Sequence, residues 1–82
     1  MKLNKETKCR IVEMILENDK YKTSISVCSI VEMLIIEGMW DARIDPIDAY
    51  TQVRDIIEAL VPIIEYKRIE TEEGFIYTPY TV

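Results

Sequence analysis

The sequence predicts a small α+β domain, three helices followed by a C-terminal β-hairpin, and three observations predict it. Apolar residues recur at helical spacing in three segments of the first sixty positions. The run Asp45-Pro46-Ile47-Asp48 carries the signature of a helix start, with Asp as N-cap, Pro at the first helical position and a second carboxylate near the positive end of the helix dipole. The last twenty residues change period, with β-branched and aromatic runs on both sides of Thr71-Glu72-Glu73-Gly74. A chain of 82 residues holds one domain, residues 1–82, because two halves would each be too small to bury a core.

The first helix is expected over residues 4–18. Asn4 can cap it, Glu6 precedes Arg10 by four positions in the favourable orientation, and Cys9, Val12, Ile15 and Leu16 form its apolar stripe. Asn18-Asp19-Lys20 reads as a turn. Residues 21–25 alternate and can form a brief strand, leading into a helix capped by Ser24 or Ser26. That second helix, from Val27, is apolar nearly all round and is therefore expected to be the central, most buried one, ending at Gly38 in a left-handed C-cap. The third helix runs from Asp45 to about Leu60, limited by Pro62. Ala49, Tyr50, Val53, Ile56, Ile57 and Leu60 face inward, and Asp48, Thr51, Gln52, Arg54, Asp55 and Glu58 face out. The hairpin pairs residues 63–70 with 75–80 through a bulged turn in which Gly74 takes a positive φ, and Pro79 places the end of the second strand at an edge.

Composition narrows the function. Histidine is absent, which removes the commonest general base and neutral metal ligand, and no nucleotide-binding loop or Ser-His-Asp set is present. Paired carboxylates occur without an apolar pocket pattern to raise one pKa, so a non-enzymatic protein without cofactor or metal is expected. Cys9 and Cys28 lack the spacing of a redox pair and read as buried small hydrophobes, and Met14, Met33 and Met39 as packing residues. Without a signal-peptide pattern or a membrane-length apolar run, the expected compartment is the cytoplasm, of a host cell if the protein is viral.

The order helix, short strand, helix, turn, helix, hairpin resembles the winged helix-turn-helix superfamily over nearly the whole chain. The resemblance implies a regulator whose third helix, residues 45–60, enters the DNA major groove while the hairpin wing, residues 65–77, touches the backbone or minor groove. The net charge of -5 is distributed against that partner. Residues 1–22 carry +2, residues 23–60 carry -5 and residues 61–82 carry -2, so the deficit falls on the elements that would face phosphates. Compactness and acidity also resemble the short accessory regulators of phages and archaeal viruses.

Two functions follow. In the first, the acidic helix-turn-helix and wing engage a basic protein surface of transcription or nucleic-acid-processing machinery, in part by mimicking DNA charge, through Asp48, Asp55, Glu58, Glu72 and Glu73, with Trp40 as an aromatic anchor. In the second, the chain is a dimeric sequence-specific transcription regulator that reads duplex DNA. Thr51, Gln52 and Arg54 would meet base edges, and Arg43, Lys67 and Arg68 phosphates, although alternation sends Lys67 and Arg68 to opposite faces of their strand. A homodimer would serve either, since so small a domain gains from added burial.

Overall fold

The computed structural model describes residues 3–39 and 43–80. Asn4 caps α1 (Lys5–Tyr21) by accepting from the Thr7 N–H, and the helix continues through Asn18-Asp19-Lys20 to a left-handed cap at Lys22. The turn expected at those three residues is thus the last helical turn. Lys20 there suits the negative end of the dipole, and the Lys22 N–H returns to the Asn18 and Asp19 carbonyls. The buried stripe of α1 is Thr7, Ile11, Met14 and Ile15 rather than Cys9, Val12, Ile15 and Leu16. Positions 7, 11, 14 and 15 share one face, which turns Cys9 and Leu16 to solvent. Arg10 binds Glu37 and Glu13 in place of Glu6.

Ser26 ends β1 (Ile25–Ser26) and caps α2 (Val27–Ile36), accepting from the Ser29 N–H. Only Val27, Ile30 and Leu34 of α2 are buried, while Met33, Ile35 and Ile36 are exposed, Ile36 at 76%. α2 has the largest buried share of the three described helices, 3 of 10 residues against 4 of 17 in α1 and 4 of 19 in α3, but it is not covered on every side as its all-round apolar pattern suggests. A helix apolar all round needs neighbours on every side, and in a domain this small α1, α3 and β3 cover one side. Both cysteines also depart from expectation, Cys9 being exposed and Cys28 half-buried, each a free thiol. Gly38 follows the helix at φ 72, as expected.

Asp45 caps α3 (Pro46–Ile64) with one carboxylate oxygen that accepts from the Ile47 and Asp48 N–H groups at 2.9 and 3.2 Å. Asp45→Ala is expected to lower stability by about 1 kcal/mol, measurable by urea denaturation, because two N–H groups lose their acceptor. α3 continues four residues past Leu60 with Pro62 inside it. Proline removes one backbone hydrogen bond, and here the last turn buries Ile64 and closes on a left-handed Glu65 whose N–H donates to the Val61 carbonyl.

The hairpin strands are accordingly β2 (Tyr66–Thr71) and β3 (Gly74–Pro79), so residues 63–64 belong to α3 rather than to a strand. Their pairing runs unbroken from Tyr66↔Pro79 to Thr71↔Gly74, so the expected bulge is absent from the register and Glu72-Glu73 form a two-residue loop. Gly74 has the positive φ expected of it, 117. β1 pairs with β3, giving a three-stranded antiparallel sheet in the order β1-β3-β2. β3 is thus central and Pro79 is not on an edge strand. It is tolerated because β1 ends opposite Ile76 and Tyr77, leaving no strand on the side to which the missing N–H would point. The core gathers Ile11, Ile15, Ile25, Val27, Leu34, Val53, Ile57, Tyr66 and Tyr77 between the sheet and the helices. None of the described helices is long and apolar enough to cross a membrane.

Candidate functional site

The outward face of α3 and the neighbouring face of β2 meet at Glu58. Its carboxylate lies 3.6 Å from Arg54 Nε on the same helix and 3.1 Å from Arg68 of β2, ten residues later. Arg54 also donates to Asp55 at 3.0 Å, and that bond holds its guanidinium more firmly protonated than usual. Arg68 lies 3.9 Å from Glu70 and stacks over the Phe75 ring, 4.8 Å from its centroid. The two arginines of this junction therefore face three carboxylates. Beneath them the buried Tyr77 hydroxyl has no well-formed hydrogen bond among the described residues, and burial followed by the charge of Glu58 pushes its pKa up to about 12.

The two polar residues expected to read bases are engaged within the fold. Thr51 donates its hydroxyl to the Ile47 carbonyl at 2.9 Å, one turn back. Gln52 accepts the Leu3 N–H at 2.8 Å and donates to Asp48 at 3.3 Å, pinning the segment that carries the buried Leu3 against α3. Arg43 is exposed just ahead of α3, and Lys67 is exposed on the sheet face opposite Arg68, as alternation requires. Trp40 lies outside the described residues.

The remaining acidic candidates, Glu72 and Glu73, stand exposed at the hairpin tip. The tip is held down at two points. The Tyr50 hydroxyl accepts the Phe75 N–H at 2.9 Å, and Cys28 donates its thiol to the Glu73 carbonyl at 3.3 Å. These bonds seat the loop beside the first turns of α3 and α2.

Two features escaped sequence reasoning. Arg10 of α1 grips Glu37 after α2 with two hydrogen bonds of 2.7 Å, and this pairing lowers the Glu37 pKa. A surface groove of about 760 Å³ opens where α1, β1 and α2 meet, bordered by Met14, Ser24, Ser26, Ser29 and Met33. Its walls come from separate segments, so no local spacing announces it. Among the described residues no group of acidic, cysteine or histidine side chains is arranged to hold a metal ion.

What this geometry defines is a small α+β domain with a charge-paired helix-hairpin junction and an acidic tip. Comparison with protein-family models, with curated proteins and with solved structures finds no match to the chain.

Proposed function

We propose that the chain is a non-enzymatic, winged-helix-type regulatory module whose α3 face and hairpin tip engage a basic surface on a protein. The winged-helix reading is supported by the element order and by the pairing of β1 with β3, which joins the hairpin to the helices. One observation carries the choice of partner. Arg54 of α3 and Arg68 of β2, two of the bases a DNA-reading surface would use, are engaged by Asp55, Glu58 and Glu70, while Glu72 and Glu73 are exposed. Turning either arginine to a phosphate would break an ion pair and leave Glu58 close to that phosphate, where it repels. The exposed carboxylates of Glu72 and Glu73 complement Lys and Arg on a protein partner.

The test is a duplex DNA titration at low salt beside partner isolation from the source cell. No duplex binding is expected. A basic partner should be captured by the wild-type chain and lost with Glu72→Lys/Glu73→Lys, each reversal placing like charges across the interface, while Lys67→Glu retains it. Duplex binding that weakens steeply with salt and is lost in Arg54→Ala would overturn the reading in favour of a DNA-binding regulator.

A further inference from the structure

β2 is the longer of the two outer strands of the sheet, and five of its six residues are exposed. The phase of its ladder follows from the bond between the Tyr80 N–H and the Glu65 carbonyl, which makes that opposed pair a hydrogen-bonded one. Alternation then turns Lys67, Ile69 and Thr71 toward β3 with their backbone groups. The N–H and C=O groups of Tyr66, Arg68 and Glu70 point out of the sheet, where none of the described strands meets them.

The geometry points to a second copy of this chain as the occupant of that edge, β2 against β2, antiparallel about a two-fold axis at Ile69. In this register Ile69 faces Ile69 of the other copy, Arg68 faces Glu70, Glu70 faces Arg68, and Lys67 faces Thr71. The outward-pointing groups of Arg68 and Glu70 meet as a hydrogen-bonded pair. On one face, two arginines and two glutamates alternate in sign, and on the other the half-exposed Ile69 side chains cover each other.

Charge selects this register from its neighbours. Sliding by two residues one way sets Arg68 against Arg68, and the other way Glu70 against Glu70, so like charges meet on the axis. A shift by one residue opposes outward-pointing groups to inward-pointing ones and leaves the new ladder unbonded. Charges on an edge strand commonly guard it against pairing. Guarding works when a second copy brings the same sign to the same place, whereas Arg68 and Glu70 bring opposite signs together. This dimer does not require a basic partner: it shares Arg68 and Glu70 with that reading but rests on the strand edge, and the basic-partner test turns on Glu72 and Glu73.

Three variants test it on the full chain in a Cys9→Ser/Cys28→Ser background. Sedimentation equilibrium of the otherwise unaltered chain should show a monomer–dimer equilibrium between micromolar and millimolar concentration. Glu70→Lys, an exposed change, should weaken the dimer about tenfold or more by opposing like charges twice. Under mild oxidation Ile69→Cys should cross-link rapidly, because a non-hydrogen-bonded opposed pair has a Cα separation of about 4.5 Å, within disulfide reach. Lys67→Cys, whose two copies would lie about 14 Å apart on the same face, should cross-link many-fold more slowly. A chain that stays monomeric at millimolar concentration, a dimer indifferent to Glu70→Lys, or cross-linking of Lys67→Cys as fast as Ile69→Cys would each overturn the proposal.

Discussion

Gly74→Ala is expected to lower stability by about 2–4 kcal/mol, combining a strained backbone with an overpacked contact. Gly74 sits at φ 117, a conformation that side-chain-bearing residues rarely adopt, and a Cβ there would overlap the Tyr50 hydroxyl. That hydroxyl cannot simply retreat, because it accepts the Phe75 N–H at 2.9 Å on the side of β3 that β1 is too short to reach. One glycine thus lets a helix side chain complete a central strand. Urea denaturation of Gly74→Ala, Tyr50→Phe and the double variant checks this. Removing the hydroxyl relieves the overlap, so the double variant should lose less than the sum of the single losses, and simple additivity would show that the close approach contributes nothing.

A second large effect lies at alkaline pH. Tyr77 is fully buried, and its phenol is pushed up to about 12 by burial first and Glu58 second, with Arg68 and Arg54 opposing. In the unfolded chain an ordinary tyrosine titrates near 10. Below pH 10 both states hold the proton and Tyr77 contributes no pH dependence. Between about 10 and 12 the unfolded chain releases its proton while the folded chain keeps it, so stability falls, by about 2–3 kcal/mol for a shift of this size. Tyr66, raised chiefly by its own burial, acts in the same direction. Tyr77→Phe should flatten the decline between pH 10 and 12, and at pH 7 it should cost little, because the hydroxyl makes no well-formed hydrogen bond among the described residues. Denaturation midpoints measured from pH 7 to 12 decide it, an unchanged alkaline slope in Tyr77→Phe being the contrary result.

What was legible in the sequence was what short-range chemistry determines. Asn4, Ser26 and Asp45 are caps because each needs only the N–H groups two or three residues ahead, and all three serve as such. Gly74 was legible because a tight turn needs positive φ somewhere near it. The reading failed where a distant partner decides. Apolar content marks α2 without saying which side α1, α3 and β3 cover, and Ile35 and Ile36 fall on the uncovered side. Cys9 looked like a core position and Thr7 did not, yet Thr7 is buried, with its hydroxyl 3.5 Å from the Met39 carbonyl. Pro62 read as a stop because its local cost is plain, whereas the offsetting burial of Ile64 belongs to the packed fold. At the candidate site the pairing of Arg54 with Glu58 followed from spacing, but the reach of Glu58 to Arg68 crosses from helix to strand and becomes visible only when the hairpin folds back.

β1 is two residues long, yet it links parts of the chain that are otherwise remote. Ile25↔Tyr77 and Ser26↔Ile76 tie the first third of the polypeptide to its last tenth, so the ring they close passes through both later helices and β2. Closing so long a loop is entropically slow relative to forming the hairpin or a helix, which makes it a late event in folding. Once closed, it makes the domain indivisible. Cutting the hairpin away would strip Ile25 and Val27 of their cover, and cutting α1 and β1 away would leave β3 open along the flank that β1 now pairs.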